Sequence, residues 1–106
     1  MPAHSYYTGP SPIHGKGVFA ARRIPRGELI GVYLGTPTRR NGTHVLWVER
    51  DDGSTVGLQG KNGLRFLNHS GRPNAGFDGD HLYALRVIRR DQEITIHYGE
   101  EWEAVS

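Results

Sequence analysis

The stretch FLNHSGRPNAGF, residues 66–77, decides how this chain is read. A solvent loop needs only Gly, Pro and small polar residues. Here Asn68, His69, Ser70 and Asn74 stand between two apolar anchors, Phe66-Leu67 and Phe77. That order suits a loop drawn back into the protein to hold something polar. An Asn side chain offers one acceptor and two donors, so it can read a zwitterion or fix its own loop. His69 has three ordinary roles: general base, metal ligand or backbone-anchored spacer. The six His are scattered without paired zinc spacing and Cys is absent, so no metal site is expected.

Outward from that stretch the chain reads as short strands. Its 106 residues fit one domain with a modest core, and 15 Gly and 6 Pro punctuate β-branched and aromatic runs. Ile24-Pro25-Arg26-Gly27 has turn chemistry and links Val18-Phe19-Ala20 to a strand over 28–34. Asp51-Asp52-Gly53 predicts a hairpin between 45–49 and 55–58, and Asp78-Gly79-Asp80 a second between 74–77 and 81–88. In 81–88 apolar residues fall on both faces, which predicts burial on both. A last strand covers 93–98, with Ile94 and Ile96 on one face. Single helical turns are expected within 61–67 and at 91–93. No internal repeat or linker is evident. Residues 1–11 are expected to be a flexible segment before a domain over 12–106.

Charge excludes little but is uneven. Residues 1–76 carry ten Lys/Arg against four Asp/Glu, and 77–106 carry three against seven. The acidic end, with Asp78, Asp80, Glu100 and Glu101, suits a cationic partner. The basic front raises nucleic acid as a partner through Arg22, Arg23, Arg26, Arg39 and Arg40, but no aromatic platform interleaves with them, so direct binding is not expected. No apolar run approaches the ~18 residues of a membrane span. The N-terminus has neither the basic nor the apolar region of a signal peptide, and the Asn41 and Asn68 sequons read as chance.

Two further stretches carry possible chemistry. His14-Gly15-Lys16-Gly17-Val18-Phe19 lets backbone approach a ligand closely, though alone it reads as a turn before a strand. Glu93-Ile94-Thr95-Ile96-His97-Tyr98-Gly99 ends a strand on a Tyr beside Gly, with Trp102 close behind. That Tyr is either an amphipathic core residue or a hydroxyl that orients a reacting group.

Together, Gly-Lys-Gly-Val-Phe-Ala, Tyr33-Leu34-Gly35, Phe-Leu-Asn-His-Ser-x-x-Pro-Asn and Glu-Ile-Thr-Ile-x-Tyr-Gly resemble the SET-domain protein lysine methyltransferases over about residues 12 to 102. The resemblance implies a mostly β, β-clip-like fold of short curved sheets with a C-terminal pseudoknot. It implies S-adenosylmethionine as methyl donor, contacted by Lys16, Gly17 and Val18 through backbone, by Asn68 at its amino-acid end and by His69 near the adenine. It makes Tyr98, with Tyr33, the catalytic residues and lines the substrate lysine channel with Tyr33, Phe77 and Tyr98, Phe77 leaving room for at least dimethylation. The substrate implied is a lysine in a basic protein or histone-like tail, and the location cytoplasmic, or nuclear in a eukaryotic or viral setting. The chain departs from many members in having Ala75 after Pro-Asn and no cysteines for a zinc cap. Trp102, as a further cofactor-binding residue whose indole covers the cofactor or the lysine channel, or a second subunit in a homodimer, is then expected to supply the missing wall. A non-catalytic SET-fold binding module is the alternative, against which the joint presence of Tyr98, Asn68 and Tyr33 argues.

Overall fold

The computed structural model describes residues 5–40, 44–98 and 102–103, the last two as backbone. Residues 41–43, Gly99, Glu100, Glu101 and the Trp102 side chain lie outside the described residues, and the expectations placed on them with them. The strands run β1 Tyr6–Pro10, β2 Lys16–Ala20, β3 Leu29–Val32, β4 Gly35–Thr38, β5 Val45–Glu49 and β6 Thr55–Gly60. A 3-10 turn, Gly63–Phe66, precedes β7 Asn68–His69, β8 Ala75–Asp78, β9 His81–Ala84, β10 Glu93–Ile96 and β11 Trp102–Glu103. They form sheets in the orders β1-β2-β10-β7, β11-β5-β6-β4 and β3-β9-β8.

Both predicted hairpins form. Between β5 and β6, Gly53 takes φ 86°, and Ser54 donates through its backbone N–H and its hydroxyl to Asp52 Oδ1 at 2.9 and 2.6 Å. Positive φ costs glycine nothing, which is why the Asp-Asp-Gly sequence turns there. Pro37, which cannot donate to a ladder, sits in β4 at a sheet edge.

The first eleven residues are not a flexible segment throughout. From Tyr6 to Pro10 they form β1, paired antiparallel with β2 in register Tyr6↔Ala20 to Pro10↔Lys16. The Tyr7 and Phe19 rings stack at 5.6 Å across that pair. Three other expectations are corrected. The strand from His81 ends at Ala84, so Leu85 and Val87 stand 50% and 43% exposed instead of buried. The 28–34 strand contracts to Leu29–Val32, with a bulge between Leu29 and Gly31. Residues 91–93 form no helical turn, because Asp91 takes φ 66° and the chain enters β10 directly.

An internal repeat is present after all. Ile24 and Ile88 exchange both backbone hydrogen bonds, at 2.8 and 2.9 Å, in an antiparallel bridge. Around it several bonds have a counterpart 64 positions along the chain. Ala20 N–H donates to Gln92 O as Ala84 N–H donates to Glu28 O, and Asp91 N–H donates to Ala20 O as Gly27 N–H donates to Ala84 O. Gly27 and Asp91, both at positive φ, occupy equivalent turn positions. β3 crosses to pair with β9 (Leu29↔Tyr83), and β10 crosses to pair with β2 (Glu93↔Phe19). The domain is thus two three-stranded units, β1-β2 and β8-β9, that exchange their third strands. Identity between the halves is confined to scattered positions such as Ala20/Ala84, Arg22/Arg86, Ile24/Ile88 and Ile30/Ile94, too sparse to stand out as a sequence repeat. The core lies at this junction: Val18, Ile24, Leu64, Leu82, Ile88 and Ile94 are fully buried. Their burial supplies the hydrophobic drive for strands too short to be stable alone.

Candidate functional site

The exchange of β10 onto β2 brings three distant segments together. β7, drawn in beside β10, pairs with it in parallel register, Asn68 with Thr95 and His69 with Ile96. The loop 11–15 between β1 and β2 folds over the same edge, closed by Ser11 N–H to Gly15 O at 2.8 Å.

Asn68 is at the centre, with 6% of its surface exposed. Its Nδ2 lies 3.1 Å from the carbonyls of His14 and Lys16, 3.1 Å from Ser11 Oγ and 2.9 Å from Glu93 Oε2. Carbonyls and a carboxylate accept only, so these contacts fix which end of the amide faces the loop. Its two amide hydrogens are shared among four acceptors. The opposite atom, Oδ1, accepts no hydrogen bond among the described residues. A buried carboxamide oxygen without a partner among the described residues has room in its bonding for a donor from outside the chain.

Glu93 completes the network. Its carboxylate accepts the Ser11 hydroxyl at 2.8 and 2.9 Å. Gly17 is glycine because of this carboxylate. A Cβ there would stand 2.4 Å from Glu93 Oε2 and 2.9 Å from Ser11 Cβ. Lys16 projects its ammonium over the Phe66 ring at 5.1 Å, and Arg65 faces the same ring at 4.2 Å. Val18 is fully buried, backbone included, between its partners Thr8 in β1 and Ile94 in β10.

Asn74 serves the scaffold. It is 5% exposed, donates through Nδ2 to Glu93 O at 2.8 Å and accepts Thr95 N–H on Oδ1 at 2.9 Å. A side chain here pairs backbone groups of β10 alongside its short ladder with the two-residue β7.

The tyrosines are held through their hydroxyls. Tyr98 donates to the Leu67 carbonyl at 2.6 Å, and its N–H donates to His69 Nδ1 at 2.9 Å. That bond makes Nδ1 an acceptor and leaves the neutral ring's proton on Nε2. The His69 ring lies 5.2 Å from that of Tyr98 and 4.8 Å from that of His97. Tyr33 is 1% exposed and donates to the His44 carbonyl. Burial pushes its phenol well above the ordinary value, with the Arg65 charge offsetting only part. Gly60 gives the hydroxyl room, since a Cβ there would lie 2.1 Å from it. Phe77 meets the Tyr33 ring edge-on at 5.9 Å.

The geometry therefore gathers Lys16, Gly17 and Asn68 into one cluster, His69 and Tyr98 into a second beside it, and Tyr33 and Phe77 into a third. Trp102 pairs by backbone with Leu46; a role for its side chain lies outside the described residues. Among the described residues no group of three metal-ligating side chains forms. Sequence reasoning missed Ser11 and Glu93. Both are common surface residue types, and neither shows in sequence that it faces Asn68.

Comparison with known proteins agrees with this fold. Residues 15–99 match the SET domain family. The chain is 33% identical, over 89% of its length, to a histone-lysine N-methyltransferase, H3 lysine-4 specific, of Emericella nidulans. It is 32% identical, over 83% of its length, to human histone-lysine N-methyltransferase 2B. It spans 10% and 4% of those proteins. Among solved structures, a chain of ctPRC2 in an autoinhibited conformation bound to S-adenosylmethionine superposes with TM-score 0.80 at 21% identity, over 95% of this chain and 16% of that one. The methyltransferase domain of human PR domain-containing protein 2 gives 0.72 at 17% identity, over 98% and 84%. These likenesses establish a mostly β fold of small sheets.

Proposed function

The chain belongs to the SET-domain family, and we propose that it is an S-adenosylmethionine-dependent protein lysine N-methyltransferase. The observation that carries this reading is the Asn68 side chain: its amide gathers the 14–16 backbone while its buried Oδ1 is left unclaimed among the described residues. An ammonium is the donor such an acceptor fits, and S-adenosylmethionine has one at its amino-acid end. Lys16, Gly17, Asn68 and His69 would hold the cofactor, with Val18 buried behind them. When bound, it supplies an electrophilic methyl group on a sulfonium.

The chain's own residues then bind and orient. Tyr98, held by the Leu67 carbonyl, aligns the target amine. It is not proposed as a strong base, because an unperturbed phenol has pKa ~10. The amine must arrive neutral, and desolvation in an apolar channel lowers an ordinary lysine pKa of ~10.4 toward that state. Tyr33 and Phe77 form one wall of that channel, with the Phe77 ring carrying no hydroxyl to crowd a methylated amine. Most of the rate then comes from positioning and electrostatics.

The substrate proposed is a lysine of a histone-like basic protein, in keeping with the names of the relatives, and the location is nuclear or chromatin-associated. The pseudoknot belongs to the same proposal and is supported by the parallel pairing of β7 with β10. So does a homodimer, which light scattering at micromolar concentration tests. Calorimetry with S-adenosylmethionine is the first experiment: binding by the wild type, lost in Asn68→Ala, is expected. Methyl transfer to histone peptides, abolished in Tyr98→Phe, is the second. A folded wild-type chain that binds no cofactor, with or without peptide, overturns the reading in favour of a protein-binding module.

A further inference from the structure

The repeat places six arginines in the two segments that the Ile24–Ile88 bridge joins. Arg22, Arg23 and Arg26 flank Ile24, Arg86, Arg89 and Arg90 flank Ile88, and all six are exposed. Because the Ile24–Ile88 bridge is antiparallel, Arg23 stands in register across from Arg89, on the side away from the buried isoleucines. Two carboxylates lie in these turns. Glu28 pairs with Arg22, and Asp91 accepts the Tyr7 hydroxyl at 2.8 Å. The other five guanidiniums have no ion pair among the described residues.

Like charges directly opposite one another destabilise a bridge. The free chain therefore carries an arrangement that an anion would relieve. We propose that this face is a docking surface for the phosphate backbone of a nucleic-acid duplex. The charges are carried by two separate turns, 22–26 and 86–90, and not by one. They spread along two arms related by the local two-fold, which suits a polymer with regularly spaced charge. Arginine's rigid fork matches phosphate oxygens. Sequence position hid the surface, because its halves lie 64 residues apart. The arginines that looked contiguous with it, Arg39 and Arg40, follow β4 in a different sheet. This inference does not depend on methyl transfer.

The test is fluorescence anisotropy of a short mixed-sequence DNA duplex across about 50–200 mM salt. Five free arginines allow a slope of log K against log salt no steeper than about −4.5, and Arg23→Gln with Arg89→Gln lowers its magnitude by about 1.8. Arg39→Gln with Arg40→Gln leaves the slope unchanged. An RNA duplex binds comparably, since only phosphates are read. The Arg23/Arg89 variant melts at or above the wild-type temperature, because the facing charges are gone. Absence of salt-dependent binding overturns the proposal, as does an equal slope change in the Arg39/Arg40 variant. Tighter binding of polyglutamate than of duplex assigns the surface to an acidic protein instead and likewise overturns it.

Discussion

Asn74→Ala tests the claim that one carboxamide holds β10 in place. The substitution removes two hydrogen bonds, of 2.8 and 2.9 Å, from a side chain that is 5% exposed. It leaves the Thr95 N–H and the Glu93 carbonyl without the partners that Asn74 gave them. Each stranded group costs about 1–3 kcal/mol, and the half-buried position of Glu93 favours the low end for its carbonyl, giving roughly 2–4 kcal/mol in all. Against a total stability of about 5–15 kcal/mol this is a large fraction. For a domain of this size it lowers the melting temperature by roughly 10–25 °C. Asn74→Asp sharpens the test. It keeps the acceptor for Thr95 N–H but sets a carboxylate against the Glu93 carbonyl, so its folded pKa is raised above the unfolded ~3.9. A raised pKa stabilises below the unfolded value and the contribution is lost as pH climbs through the folded one. Relative to wild type, Asn74→Asp is therefore least destabilised in acid and most at neutral pH. Urea melts of all three proteins at several pH values decide the matter. A cost below about 0.5 kcal/mol for Asn74→Ala, the range of ordinary surface changes, would refute the reasoning.

Other substitutions follow from the same geometry. Glu93→Gln removes the charge that orders Ser11 and the 14–16 loop, and S-adenosylmethionine affinity measured by calorimetry is expected to fall about tenfold, or 1.4 kcal/mol. Gly60→Ala drives a methyl into the Tyr33 hydroxyl and costs about 1–3 kcal/mol, and adding Tyr33→Phe recovers about 1 kcal/mol of that, as a double-mutant cycle by denaturant melts reads directly. Because burial raises the Tyr33 phenol above the ordinary ~10, the stability it confers is complete below that pH and is lost as pH rises beyond it. In an ultraviolet titration the Tyr33 signal is then absent from the first phenolate wave and appears only with unfolding. Phe77→Tyr adds a hydroxyl beside Tyr33 and shifts peptide products toward monomethyl-lysine in a mass spectrum.

The hairpins and the last strand were legible because their signals are local. Asp-Asp-Gly and Asp-Gly-Asp fix turns by backbone chemistry within a few residues, and Ile94 and Ile96 mark one buried face of β10. Asn68, His69 and Tyr98 were legible as a motif, because their order along the chain survives without knowledge of contacts. What sequence did not disclose depends on contacts between distant segments. Ser11 looked like part of a loose terminus, yet it meets Glu93 across 82 positions. Leu85 and Val87 continued an apolar pattern, but Leu85 N–H donates to the Asn74 carbonyl and the chain turns away from the sheet there. The repeat escaped notice because hydrogen bonding, which any residue but proline supplies, preserves it better than side-chain identity does.

That repeat explains why the chain has one such site and not two. The two hairpins are equivalent in register, but β8 and β9 join through two residues, 79 and 80, whereas β1 and β2 are joined by five, 11–15. The extra length is the loop that Asn68 gathers and that carries Ser11. The exchanged strands differ at the matching place as well. Glu93 begins β10 against Phe19, and its counterpart Leu29 begins β3 against Tyr83. Leu29 makes no polar network and stands 42% exposed. Opposite Gly17, whose missing Cβ admits the carboxylate, the second half has His81. Among the described residues, no segment corresponds to β7 in the first half of the chain. The scaffold hydrogen bonds keep the two-fold, while loop length, carboxylate and glycine break it together at one edge. Restoring symmetry should therefore remove the site while sparing the fold. Shortening the β1–β2 loop to an Asp-Gly turn keeps the β1–β2 ladder and the Ile24–Ile88 bridge, so the chain should stay folded by circular dichroism while losing S-adenosylmethionine binding. Retained binding in such a variant would mean that the 11–15 loop is not part of the cofactor's seat.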